Sequence, residues 1–165
     1  MENNEMGTKE KELYIKELLE NKKGIDVTAV ELVESNLAVL KENSRGIDSI
    51  RSYQGDATDL SRFADNAFDV ALVLGPMYHL YTREEVNRAI DEAIRVTKPG
   101  GTLLFALLSV YAIMYANALC SSWATYQKEN FTEDFKVRHF QEQLFTGYDV
   151  CEFERLFDGK PVEHI

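Results

Sequence analysis

Apolar residues along this chain fall into short runs separated by charged, amphipathic stretches, and the alternation of the two predicts strands and helices in turn. Thr8 to Glu20 spaces Leu13, Ile15, Leu18 and Leu19 among Lys and Glu, which predicts a surface helix with Thr8 as its cap and Gly24 beyond its end. Ile25 to Val33 (IDVTAVELV) predicts a strand, Ser35 to Asn43 a helix carrying Leu37, Ala38 and Leu40, and Ile50 to Gln54 a second strand that runs into Gly55-Asp56-Ala57. Leu60 to Phe63 predicts a single turn.

The organising stretch is Phe68 to Leu80, FDVALVLGPMYHL. Val70 to Leu74 lacks polar alternation and stops at Gly75-Pro76, which predicts a strand buried on both faces, as in the middle of an α/β sheet. Thr82-Arg83-Glu84-Glu85 has the form of a capping box, and Val86, Ala89, Ile90, Ala93 and Ile94 follow at helical spacing. Lys98-Pro99-Gly100-Gly101 then turns the chain into an apolar strand, Thr102 to Leu108. Tyr111 to Tyr126 predicts an aromatic helix. Thr146 and Asp149 open a last helix holding Val150, Phe153, Leu156 and Phe157, closed by Asp158-Gly159, and Pro161 to Ile165 predicts the start of a strand. The fold class is therefore α/β, with a mostly parallel, Rossmann-like sheet and flanking helices. Three segments are expected: a polar lead and helix over 1–24, an α/β core over 25–110, and a helical cap with the start of a terminal strand over 111–165.

Composition narrows the choice of chemistry. The 165 residues carry 28 acidic against 18 basic side chains, a net charge of −10 that repels phosphate backbones and anionic lipid, so neither nucleic acid nor membrane is expected as partner. The uncharged run Thr102 to Gln127 divides into strand and amphipathic helix rather than a membrane span. Two cysteines, Cys120 and Cys151, have no CxxC spacing, and His139 and His164 no metal spacing, so no disulfide framework or metal site is expected and a reducing cytoplasm is. The N-terminus has no apolar export segment.

In α/β sheets ligands bind beyond the carboxyl ends of the strands. Three stations fall there: Glu31, whose carboxylate suits two adjacent ribose hydroxyls; Asp56 with Ala57, whose carboxylate and backbone amide suit the amine and ring nitrogen of adenine; and Gly75-Pro76. Together they describe a site for an adenosine-containing ligand.

DVTAVE, YQGDATDL, FDVALVLGPMYHL and RVTKPGGTLLFAL, in this order and at these separations, resemble the successive motifs of class I S-adenosylmethionine-dependent methyltransferases. The resemblance covers about Val27 to Leu108. It implies that Glu31 holds the ribose and Asp56 and Ala57 the adenine, and that Leu74, Gly75 and Pro76 line the methionine side, with a small molecule as methyl acceptor. The region after Ser109 would select that acceptor, with Tyr115, Trp123 and Arg138 as candidate pocket residues. His79 is the candidate base, with Tyr78 beside it as donor or stacking group.

The family's glycine-rich loop should precede Val27, yet the nearby glycines are Gly7 and Gly24. The first strand, its loop and the last strands are thus expected to be missing, and the chain reads as truncated relative to the family. In the family's sheet the absent strand separates the Val27 and Val70 strands, so their open edges predict strand exchange or a homodimer. Two other functions compete: an inactive, self-associating scaffold, and a nicotinamide-dependent dehydrogenase, which Glu31 would also suit but whose glycine fingerprint is absent.

Overall fold

The computed structural model describes residues 24–112, 115 and 146–163. The chain divides into two compact units, residues 1–54 and 55–165.

The described part of the first unit is one β-α-β repeat. Strand β1 (Val27–Glu31) leads through helix α1 (Glu34–Asn43) to strand β2 (Ile50–Gln54), and the strands pair in parallel from Val27 with Ile50 to Glu31 with Gln54. A parallel pair needs a crossover of this kind, because a tight turn cannot return the chain to the same end. Strand β1 is shorter than its apolar run: Leu32 and Val33 are exposed and lead into the helix instead. Of the ten residues in α1 only Leu37 is buried.

The second unit repeats the plan with more cover. Strand β3 (Phe68–Val73) passes through a 3-10 turn (Pro76–Tyr78) and helix α2 (Arg83–Val96) to strand β4 (Thr97–Phe105), again parallel. The capping box forms as the sequence predicts. Thr82 Oγ1 accepts from Glu85 N–H at 3.2 Å, and the Glu85 carboxylate accepts from Thr82 N–H at 3.2 Å. The Thr82 hydroxyl also donates to Glu85 Oε2 at 2.9 Å, and this bond first, with the Thr82 N–H second, holds the Glu85 carboxyl below its usual range. Val86, Ala89, Ile90, Ala93 and Val96 are buried on the face of α2 that lies on the sheet.

Strand β4 begins earlier than the apolar run implies. Phe68 pairs with Thr97 and Val70 with Thr102, so Lys98 to Gly101 form an irregularity inside the ladder. The two glycines there do different work. Gly100 takes a φ of +76°, where a side chain is strained, and a Cβ on Gly101 would stand 2.7 Å from the Asp69 carbonyl oxygen. Lys98 Nζ closes the corner on Asp69 Oδ1 at 2.8 Å.

The C-terminal layer completes the core. Ser109 bridges to Tyr148, and helix α3 (Val150–Glu154) with a 3-10 turn (Arg155–Phe157) brings Phe153, Leu156 and Phe157 against Val73, Met77 and Ile90. Phe105, Phe153 and Phe157 meet edge to face, with centroids 5.1 to 6.4 Å apart. Asp149 caps α3 by accepting from Cys151 N–H at 2.9 Å, and Gly159 ends the segment at a φ of +76°.

Two expectations are corrected. Strand β3 is buried on one face only: Val73 belongs to the core, whereas Val70 and Leu72 are 52% and 59% exposed because no described helix lies against them. Residues 161–163 form no strand; Val162 packs on the core and finds no strand to pair with among the described residues. The helix expected over Thr8 to Glu20 lies outside the described residues, as does most of that expected over Tyr111 to Tyr126, of which residues 111, 112 and 115 are helical. The strands pair as two separate two-stranded sheets, β1 with β2 and β3 with β4, so β1 and β3 each keep one edge without ladder bonds among the described residues. The described architecture is α/β with parallel sheets and flanking helices. No helix among these residues is long and apolar enough to cross a membrane.

Candidate functional site

Both predicted carboxylate stations sit where a strand gives way to a turn, and both are locked by their own backbone. In the first unit Glu31, the last residue of β1, accepts from Val33 N–H through Oε1 at 2.9 Å. In the second, Asp56 Oδ1 accepts from Thr58 N–H at 2.8 Å, and its carbonyl accepts from Asp59 N–H at 3.1 Å. This is an Asx turn, the local bond that favours aspartate after a strand. Each carboxylate spends one oxygen on its own chain. The other oxygen of each carries no hydrogen bond among the described residues, which leaves each carboxylate one further acceptor.

The turn continues from Asp56 through Asp59, whose carboxylate accepts from Ser61 N–H at 3.0 Å and is held below its usual range by Ser61, side chain first. Ala57 is half-buried within it.

Leu74, Gly75, Pro76, Tyr78 and His79 form one compact loop at the end of β3. The Tyr78 hydroxyl donates to the Leu74 carbonyl at 2.7 Å, and Thr146 N–H donates to the Tyr78 carbonyl at 2.9 Å. Beneath them Met77, fully buried, plugs the loop into the core. Space around Gly75 is open: a Cβ there would meet nothing within 4 Å. His79 ends the 3-10 turn, is exposed, and has its ring 5.0 Å from that of Tyr78. Tyr115 is 68% exposed, and Trp123 and Arg138 lie outside the described residues.

Three contributors escaped the sequence reading. Thr146, fully buried, was expected only as a helix opener, yet it ties the returning chain to the Tyr78 carbonyl. Glu92 and Arg95 lie one turn apart near the end of α2 and bond through Arg95 Nε to Glu92 Oε1 at 2.7 Å. Their spacing is legible as a helical ion pair. That both also reach residues some thirty positions earlier is not. The Arg95 bond holds the Glu92 carboxyl below its usual range, while Glu92 first and Asp65 second hold Arg95 above its own.

In the first unit the second Glu31 carboxylate oxygen can accept from hydroxyl donors; in the second unit the second Asp56 carboxylate oxygen can accept from an amine donor, and Gly75 leaves its backbone unobstructed.

Residues 11–105 match the model of the methyltransferase domain family. A demethylmenaquinone methyltransferase of Paenarthrobacter aurescens is 40% identical over 86 residues, covering 52% of this chain and 31% of that protein. The chain thus spans about a third of the length of that relative. Among solved structures, a SAM-dependent methyltransferase from Methanosarcina mazei superposes with a TM-score of 0.61 at 19% identity, over 87% of this chain and 71% of the other. A protein from Pyrococcus horikoshii does so at 0.59 and 23%, over 87% and 66%. At these identities the structures speak to the fold, which is Rossmann-like. With more than half of its residues matched in sequence, and with the strand and helix order to go with it, the chain belongs to the methyltransferase domain family.

Proposed function

We propose that this protein is an S-adenosylmethionine-dependent methyltransferase acting on a small molecule in the cytoplasm. Glu31 holds the ribose hydroxyls, Asp56 and the Ala57 amide hold the adenine, and Leu74, Gly75 and Pro76 line the methionine side. When bound, the cofactor supplies an electrophilic methyl group. The protein's part is to hold an acceptor in line, exclude water and, for an acidic acceptor, take up a proton.

His79 is suited to that last task by its exposure on the loop after β3. Tyr78 commits its hydroxyl proton to the Leu74 carbonyl, so it contributes its ring and an oxygen acceptor. Tyr115, Trp123 and Arg138 are assigned to acceptor selection. The relative from Paenarthrobacter aurescens makes demethylmenaquinone the first acceptor to test.

The observation that carries this reading is that each unit has a strand-end carboxylate fixed through one oxygen, with no hydrogen bond to the other among the described residues. Calorimetric titration with S-adenosylmethionine, S-adenosylhomocysteine and NAD tests it. Binding of the first two alone is expected. A response to NAD alone would transfer the site to a dehydrogenase, and silence to all three would leave an inactive scaffold.

A second reading concerns assembly and is compatible with the first. The edges of β1 and β3, which carry no ladder bonds among the described residues, and the exposed Val70, Leu72 and Leu104 on one sheet face suit pairing with a second copy of this chain, which brings the same edges. Sedimentation over rising concentration should detect a dimer. A monomer at every concentration removes this reading.

A further inference from the structure

The Asp56 turn does not hold its shape by local bonds alone. Arg95 directs all five of its N–H donors at fixed acceptors: Nε to Glu92 Oε1 at 2.7 Å, Nη1 to the Phe63 carbonyl at 2.9 Å and Asp65 Oδ1 at 2.7 Å, and Nη2 to the Leu60 carbonyl at 2.9 Å and Glu92 Oε2 at 2.9 Å. Glu92 Oε2 in turn accepts from Leu60 N–H at 2.6 Å, and the Arg95 carbonyl accepts from Asn66 N–H at 2.9 Å. Leu60 is therefore gripped at both its amide and its carbonyl. It follows Asp56 by four residues, with the Asp56–Asp59 bridge between them. At the other end of the loop, the bond from Asn66 secures a residue at a φ of +57°, a conformation that asparagine tolerates but does not favour.

We propose that Glu92 and Arg95 are positioning residues for the adenine station, holding the loop from Asp56 to Asn66 in the shape that aims the Asp56 carboxylate and the Ala57 amide at the base. The proposal rests on the reading of those two residues as adenine contacts. Four features of the geometry distinguish this pair from an ordinary surface ion pair. The side chains are only 27% and 18% exposed, the guanidinium is saturated, two of its acceptors are loop carbonyls, and the loop it holds carries the candidate contact. A planar fork is needed for this, because an ammonium presents no fixed array of five donors. Binding energy depends on contacts being in place beforehand, so a slack loop weakens recognition of the base without removing any group that touches it.

The test compares the unaltered chain with Arg95→Lys, Glu92→Gln and Asp56→Asn. Calorimetry measures the affinity for S-adenosylhomocysteine and for its inosine analogue, whose ring carries an oxygen in place of the 6-amino group. Circular dichroism fixes a temperature at which each variant is folded.

Discrimination between the two ligands reports on the aim of Asp56, whereas a general loss of stability lowers both affinities together. Arg95→Lys and Glu92→Gln are each expected to weaken S-adenosylhomocysteine about tenfold, the factor equivalent to one hydrogen bond of positioning, and to shrink the preference over the inosine analogue. Glu92→Gln keeps the side chain's size and supplies the answer should Arg95→Lys fail to fold. If Asp56→Asn abolishes the preference while both clamp variants retain it, the positioning role is wrong and the adenine station stands. If Asp56→Asn leaves the preference unchanged, or the unaltered chain has none, the adenine station itself is wrong and the clamp's role falls with it.

Discussion

The two β-α-β repeats share a topology and differ in how they are finished. In the first, α1 buries one residue, Leu37, and its N-cap position is Val33, which offers no side-chain bond to the free amides. In the second, α2 buries five residues behind a complete capping box, and a third layer from the C-terminal segment closes over Val73, Met77 and Ile90. Both helices bridge a parallel pair of strands, so the connection by itself does not set how well a repeat is held. What differs is the apolar area removed from water, at about 1.5–3 kcal/mol for each large side chain fully buried. The second repeat therefore makes the firmer platform, and it carries the Asp56 turn, the Gly75 loop and the clamp between α2 and that turn.

The strongest attack on this contrast is truncation of the two cores. Ile90→Ala removes a fully buried side chain from the five-residue buried face of α2 and should cost about 3–5 kcal/mol, whereas Leu37→Ala, at the single buried position of α1, should cost about 2 kcal/mol. Chemical denaturation of each variant measures both, and equal losses would break the distinction. Next in size is Gly101→Ala. Its Cβ would press on the Asp69 carbonyl at 2.7 Å, and the shift of backbone should cost about 1–3 kcal/mol; unchanged stability would mean that the β3–β4 corner yields freely.

Capping separates the repeats more finely. Thr82→Ala should destabilise by about 1 kcal/mol, and Val33→Ser, which supplies the missing oxygen at an extended N-cap, should stabilise by somewhat less. Opposite signs in thermal melts would sharpen the comparison, and matching signs would undo it. The smallest effect at neutral pH belongs to Tyr148. Burial, and then the charge of Glu152, push its phenol up to about 12 from 10.0. The unfolded chain releases that proton first, so this contribution is complete below pH 10, declines as pH rises, and is gone near pH 12. Tyr148→Phe should flatten that alkaline decline.

Much of this was written in local pattern. Apolar runs bounded by glycine and proline marked four strands, and the spacing of Val86, Ala89, Ile90 and Ala93 marked the inner face of α2. Thr82 with Glu85, and Asp149 before Cys151, announced caps that the structure contains. Asp56 and Glu31 stood out because a carboxylate just past a strand is a local feature. All of these depend on residues a few positions apart, where backbone geometry alone fixes who can touch whom.

Other features needed the folded chain. An apolar run does not say how many of its faces will be covered, and Val70 and Leu72 remain exposed because burial depends on which elements pack there. Glu92 and Arg95 look like any helical ion pair until α2 lies beside the loop from Leu60 to Asn66. Their bonds span thirty or more residues, and hydrogen-bond partners at that separation are chosen by packing rather than by neighbouring sequence. Sequence by itself determined the kinds of elements, their order and where carboxylates follow a strand; tertiary structure alone decided which described faces stay bare and what holds the Asp56 turn, because both are properties of distant segments brought into contact.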